Sequence, residues 1–153
     1  MKLEIQNVGN IEIKNIVFDF NGTIAKDGKI YKEVKDKIIN LAENFNIYVL
    51  TSDTHGNAAK ELQNLPVKLT ILKTNNHTKE KEEFVKNLKN TFAVGNGSND
   101  SLMLKAADIG VCVINEEGAS SKSIINSDVI CKSIIDAVNL LEKPKRIIAT
   151  LRM

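Results

Sequence analysis

The sequence predicts an α/β fold in which a mainly parallel β-sheet is covered by helices on both faces. Three observations point there. Short apolar runs at 16–20, 47–50, 92–94 and 109–114 alternate with segments whose apolar residues fall at helical spacing. These runs are continuous rather than alternating, the habit of parallel strands buried on both faces. Three of them end in polar residues, Asp19, Thr51 and Asn96, and such sheets gather ligands beyond the C-terminal ends of their strands.

In chain order, residues 3–14 alternate apolar and polar around Val8-Gly9-Asn10, the pattern of a β-hairpin. A buried strand is expected over 15–20, then a short flap or turn over 24–30 containing Asp27-Gly28. Tyr31, Val34, Ile38, Leu41, Ala42 and Phe45 recur at helical spacing, so 31–45 reads as an amphipathic helix. A second buried strand over 47–50 runs into Thr51-Ser52-Asp53. A short helix near 56–64 follows and, after Pro66, a strand over 67–72. The charged helix 77–88 turns Phe84, Val85 and Leu88 inward. Strand 92–94, helix 98–107, strands 109–114 and 128–131 and helix 134–141 complete the alternation. The Pro-started basic tail 144–153 is expected to pack as a last helical turn.

The 153 residues suit one domain, 1–153, with a sizeable core. A net charge of +2 with Lys and Glu interspersed is too weak a bias for nucleic acid, and no apolar stretch reaches membrane-spanning length. Cys112 and Cys131 lie far apart in apolar runs and read as buried free thiols. A soluble cytoplasmic protein is expected.

The segment Val17-Phe18-Asp19-Phe20-Asn21-Gly22-Thr23 carries the chemistry. A buried strand here delivers one carboxylate to the sheet edge, beside turn N–H groups able to hold a phosphate. Ala93-Val94-Gly95-Asn96-Gly97-Ser98-Asn99-Asp100 has the same build, and the two read as halves of a phosphoryl-transfer site. The bland alternatives are turn or cap roles for Asp19, Thr51 and Asp53, a loop position for His55, and a helix start for His77. The 79–89 Lys/Glu run reads as a solvated helix face, with Lys81 its exception, and the basic tail as packing or surface charge.

Four ordered motifs over roughly 11–142 resemble the haloacid dehalogenase (HAD) superfamily of aspartate-nucleophile phosphotransferases. Within it the chain most resembles the P-type ATPase phosphorylation domain, in particular the soluble archaeal P-type-ATPase-like phosphatases. Asp19-Phe20-Asn21-Gly22-Thr23 stands for Asp-x-Asp-x-Thr, and Leu50-Thr51-Ser52-Asp53 is similar to Thr-Gly-Asp. Lys81 precedes the Phe84, Val85 and Leu88 stripe, and Gly95-Asn96-Gly97-Ser98-Asn99-Asp100 resembles Gly-Asp-Gly-x-Asn-Asp. The resemblance implies a three-layer Rossmannoid fold and a Mg²⁺-dependent phosphatase working through an aspartyl-phosphate on Asp19. Thr23 and Thr51 would donate hydroxyls to phosphate, with Gly22, Ser52 and Asn99 as further phosphate contacts. Lys81, or Lys79 in its place, would neutralise transition-state charge. Mg²⁺ would be held by Asp19, the carbonyl of Asn21, Asn96 and Asp100.

Two departures shape the expected activity. Asn21 stands where phosphatases of the superfamily carry the general acid/base, which implies slow dephosphorylation and donors whose leaving group needs no proton. Asn96 stands at a direct metal ligand, so metal affinity should fall. A catalytically weak or inactive phosphate-binding scaffold is the alternative, since fold alone does not guarantee turnover. Dehalogenation by attack on carbon normally requires a cap, and residues 24–50 and 54–78 have no room for a large one. The open site would take a small-molecule or protein-borne phosphate, or be covered by another copy in a homo-oligomer. Asn21-Gly22 and Asn96-Gly97 are also sequences prone to deamidation.

Overall fold

At the centre of the molecule runs β3 (Asn15–Asp19), buried at every position. In the computed structural model, which describes residues 1–53 and 56–153, β3 pairs in parallel with β6 (Asn46–Thr51) and β8 (Thr91–Gly95). Beyond β6 lies β7 (Lys68–Ile71), and beyond β8 lie β9 (Ile109–Val113) and β10 (Val129–Cys131). The sheet has six strands in the order β10-β9-β8-β3-β6-β7, every pairing parallel. β3, β8 and β9 are buried throughout, which explains their unbroken apolar runs.

Two apolar clusters cover the two faces. Ile16 and Phe18 look toward α1 (Lys32–Leu41), α2 (Ala58–Leu62), α6 (Ile134–Glu142) and α7 (Pro144–Leu151). Val17 looks the other way, toward α3 (His77–Leu88) and α4 (Ser101–Ala106). The layering is the three-layer α/β arrangement expected. Cys112 and Cys131 are buried free thiols on opposite faces, one in each cluster, and burial lifts both pKa values to about 11.

Several boundaries differ from the sequence expectation. The N-terminal hairpin pairs β1 (Lys2–Ile5) with β2 (Gly9–Glu12), so its turn falls at 6–8 and Gly9 already belongs to a strand. Asn7, at φ 63, takes the left-handed position that asparagine tolerates. Helix α1 stops at Leu41 rather than 45 because 42–44 unwind into a turn. The tail forms two turns of helix instead of one, with Pro144 at its start and Ile147 buried. The Ser-rich stretch after β9, without an assigned element in the sequence reading, contains α5 (Ser121–Ile125), capped by the Ser120 hydroxyl on Lys122 N–H.

The flap is a hairpin of β4 (Ala25–Lys26) and β5 (Lys29–Ile30), turned by Asp27 and Gly28, both at positive φ. It is the part of the chain between β3 and α1, and no large insertion accompanies it. Among the described residues no helix is long and apolar enough to cross a membrane.

Packing of α4 on β9 depends on Gly110. A Cβ there would collide with the Leu104 carbonyl oxygen, a backbone atom that cannot swing aside. Gly110→Ala is therefore expected to destabilise the protein by about 1–3 kcal/mol, read from chemical denaturation.

Candidate active site

The period of two along β3 places Asp19 on the same face as Val17, against α3. On α3, Lys81 sits in line with Phe84, Val85 and Leu88, so its ammonium reaches the sheet at the upper end of that stripe. Lys81 is 0% exposed, and its Nζ donates to Asp19 Oδ1 and to Asp100 Oδ1, both at 2.6 Å. Lys79 is directed elsewhere: its ammonium pairs with Glu82 at 2.7 Å. Glu82 corrects the reading of this helix face as solvated. Only 9% exposed, it is gripped by Lys79 and Lys86, which hold its pKa below the ordinary value.

Asp100 ends the 3-10 turn Ser98–Asp100 and is fully buried. Its Oδ2 accepts the backbone N–H of Asn96 at 3.0 Å and of Gly97 at 2.9 Å. With Lys81 on Oδ1, both of its oxygens have partners, and the Asp100 carboxylate orders the turn as well as the lysine. Gly95 makes room for it, since a Cβ there would fall 2.6 Å from the Asp100 side chain.

Two carboxylates and one ammonium leave a net negative site. Burial, then the Asp100 charge, push the Asp19 pKa up to about 6, against the opposing pull of Lys81. Burial alone would depress Lys81, but Asp100 and Asp19 together hold it above its ordinary value.

Thr23 is fully buried, and its hydroxyl lies 3.1 Å from Asp19 Oδ2 and 3.3 Å from Asn96 Oδ1. Those two oxygens therefore face a common point. The N–H groups of this turn are not open to a phosphate as expected. Gly22 N–H donates to Ala25 C=O at 2.7 Å and Thr23 N–H to Phe20 C=O at 3.2 Å. What Gly22 contributes is space: at φ +82, a Cβ would run into the Asn96 amide.

The Asn21 Oδ1 accepts the Gly28 N–H at 3.0 Å and ties the flap turn to the loop that follows Asp19. Thr51, one residue beyond Leu50, which pairs with Asp19, is 2% exposed. Its Oγ1 accepts the Asp53 N–H at 2.9 Å, which leaves its own proton free to donate. Ser52 follows it, half-buried. Asp53 serves as a cap: its Oδ1 accepts N–H from Asn57 at 3.0 Å and Ala58 at 2.9 Å. Asn99 is half-buried beside Gly97, whose missing Cβ admits it. His55 lies outside the described residues.

The fold opposes the deamidation suggested by the two Asn-Gly pairs. That reaction needs the glycine nitrogen to attack the preceding side-chain amide. Gly22 N–H is held by Ala25, and Gly97 N–H by Asp100. Both amides are also tethered, Asn21 to Gly28 and Asn96 Nδ2 to Gly118 C=O at 3.0 Å.

The donor set suits a hard divalent cation. Asp19 Oδ2 and Asn96 Oδ1 converge, and because Gly22 N–H turns toward Ala25, the trans peptide aims the Asn21 carbonyl the opposite way. Among the described residues no group of three His, Cys, Asp or Glu side chains converges. Few protein ligands, one of them anionic, match magnesium, which keeps waters and takes substrate phosphate oxygens.

Sequence reasoning missed Asn115. It lies two residues past the end of the buried strand β9, much as Asp19 and Thr51 end their strands and Asn96 follows its own, so the same signal marked it. Its Nδ2 donates to the carbonyls of Gly22 at 2.9 Å and Thr23 at 2.8 Å.

No protein-family model matches the chain. The uncharacterized protein MJ0073 of Methanocaldococcus jannaschii is 53% identical over 64 residues, 42% of this chain and 69% of that protein. A soluble P-type ATPase-like phosphatase of the same organism is 25% identical over 126 residues, covering 79% of this chain but only 46% of the relative. Among solved structures, the Moraxella catarrhalis 3-deoxy-D-manno-octulosonate 8-phosphate phosphatase, in complex with magnesium, phosphate and the sugar acid, superposes with TM-score 0.66. It is 17% identical, with 92% of this chain and 94% of that one covered. The cobalt-bound Haemophilus influenzae phosphatase of the same name gives TM-score 0.68 at 15% identity, covering 92% and 90%. A zinc-transporting PIB-type ATPase matches 79% of this chain with 20% of its own, at TM-score 0.63 and 21% identity. The fold is thus that of the HAD superfamily, shared with its phosphatases and with a domain of the P-type ATPases.

The buried ion cluster makes Lys81 structural as well as chemical. Lys81→Met strands two carboxylates and is expected to cost about 3–5 kcal/mol at neutral pH. The loss should shrink as pH falls, starting above about pH 6, because Asp19 without the Lys81 charge that pulls its pKa down takes up its proton earlier than in the parent protein; urea denaturation at two pH values measures it.

Proposed function

The chain belongs to one family with MJ0073 and carries the HAD fold, and from its site we propose that it is a Mg²⁺-dependent phosphohydrolase or phosphotransferase acting through an aspartyl-phosphate on Asp19. The observation that carries this reading is the Lys81 ammonium bridging Asp19 and Asp100, which fixes one oxygen of a strand-end carboxylate and leaves the other facing Thr23 and Asn96. Asp19, the Asn21 carbonyl and Asn96 would hold the metal; Asp100, expected from the sequence to share it, has its oxygens on Lys81 and on the N–H groups of Asn96 and Gly97, and orders the turn that carries Asn96. When bound, the metal supplies neutralisation of phosphoryl charge.

Asp19 Oδ2 forms a bond to phosphorus as the bond to the leaving group breaks, and the leaving group departs with that electron pair. Thr51, Thr23 and Lys81 stabilise the charge on the phosphoryl oxygens. Water then attacks the aspartyl-phosphate at phosphorus, its proton passes to solvent, and phosphate leaves as the carboxylate is restored. The Asn21 amide neither gives nor takes a proton, and its oxygen is engaged by Gly28. The favoured donors are therefore acyl phosphates or nucleotides, whose leaving groups are stable as anions, and the second step is slow.

The test is intact-protein mass spectrometry after incubation with acetyl phosphate. A phosphoryl adduct is expected with Mg²⁺, and none with chelator or in Asp19→Asn. Asn21→Asp keeps an acceptor for Gly28 N–H while adding an acid/base, so the adduct should decay about a hundredfold faster. Absence of any adduct, with no turnover of an aryl phosphate, would transfer the site to the second reading. That reading is a phosphate-binding scaffold, favoured by the use of the Asn21 amide as a flap tether.

A further inference from the structure

The stretch after β9 contacts the Gly22–Thr23 loop, the flap and the turn that carries Asn96. Asn115, at φ 31, uses its whole side chain. Both Nδ2 hydrogens go to the carbonyls of Gly22 and Thr23, at 2.9 and 2.8 Å, and Oδ1 accepts the first N–H of α6, from Ile134, at 2.9 Å. Glu116 then accepts the Tyr31 hydroxyl at 2.6 Å, and Glu117 the Asp27 N–H of the flap turn at 3.3 Å. Gly118 C=O receives the Asn96 amide at 3.0 Å, and Ser120 N–H donates to Asn96 C=O at 2.8 Å. Within six residues the chain ties together the nucleophile loop, the flap and the Asn96 turn.

The Asn115 contact differs from the others in what it immobilises. The two carbonyls it holds belong to the peptides whose N–H groups, of Thr23 and Ile24, donate to Phe20 C=O at 3.2 and 3.0 Å. A trans peptide points its C=O and N–H in opposite directions, so each plane is gripped from both sides. With both planes fixed, the backbone of Thr23 has no freedom to swing, and its hydroxyl stays between Asp19 Oδ2 and Asn96 Oδ1.

We propose that Asn115 is a positioning residue for phosphoryl transfer, holding the loop that carries Gly22 and Thr23 in register with Asp19. The proposal rests on Asp19 as the nucleophile. Asn115 itself touches neither phosphate nor metal. It acts through the loop, and a misplacement of about 1 Å in such a loop costs about a hundredfold in rate.

Two variants separate the clamp from its surroundings. Asn115→Asp keeps an oxygen for Ile134 N–H but sets a carboxylate oxygen against two carbonyls. Asn115→Gly keeps the left-handed backbone and removes the side chain, and it stands in if the aspartate variant does not fold. In both, Mg²⁺-dependent adduct formation from acetyl phosphate should slow by about ten- to a hundredfold, with the half-saturating donor concentration little changed. Hydrogen exchange at the amides of Thr23, Ile24 and Ala25 should accelerate, while β6 and β7 keep their protection. A folded variant that forms adduct at the wild-type rate overturns the proposal, whatever its melting temperature. If wild-type protein forms no adduct, the phosphoryl-transfer reading fails separately. The clamp is then judged by exchange alone, and unchanged protection at those three amides in Asn115→Gly overturns it.

Discussion

An ammonium with no exposure, held between two carboxylates at 2.6 Å each, is the constraint on which the rest of the site depends. A buried charge without a partner costs several kcal/mol, so Asp19, Lys81 and Asp100 stand or fall together. Their elements must therefore meet. The end of β3, the first turns of α3 and the turn after β8 are brought to one point by charge as much as by apolar packing. Asp100 then carries the constraint outward, because its second oxygen takes the N–H groups of Asn96 and Gly97 and so shapes the turn that presents Asn96.

The neutral residues make sense against that charge. The trio is already net negative, and the Asp19 carboxyl already holds its proton up to about pH 6. A further carboxylate at 96 would face Asp19 across Thr23, raising the repulsion in the metal-free protein. Asparagine offers an oxygen there without adding charge and uses its amide hydrogens on Gly118. Asn21 follows the same logic with a different outcome. Its oxygen anchors the flap through Gly28, a role that an amide fills at every pH.

Much of this was legible in the sequence because it follows from short-range rules. Unbroken apolar runs gave β3, β8 and β9, and polar residues at strand ends gave Asp19, Thr51 and Asn96. The family resemblance, not a local rule, pointed to Lys81 with Lys79 as its alternative, and the structure seats Lys81 on Asp19 while Lys79 turns to Glu82. What escaped depends on contacts between distant residues. Asn115 and Gly22 are 93 positions apart, and nothing local to either shows the bond. The turn N–H groups looked free from sequence because their acceptors, Phe20 and Ala25, are set by how the loop closes on itself. Helix α5 escaped because serines favour loops and caps alike, and only the Ser120 cap and the Ser123 hydroxyl on Gly97 C=O commit this run to a helix.

The flap completes the physical picture. Its strands are two residues each, too short to hold a fixed pose by their own pairing. Its order comes from outside: Asn21 on Gly28, Glu117 on Asp27, Glu61 on Ile30 N–H at 3.2 Å, and Glu116 on the Tyr31 hydroxyl. Three of these four holds end on a carboxylate at or near the surface, where water competes for it, whereas the loop that carries Gly22 and Thr23 is gripped at both faces of its peptide planes. The rigid part of the site is thus the loop that carries Thr23 beside Asp19, the part the proposed phosphoryl transfer needs aligned. The more weakly held part is the flap hairpin.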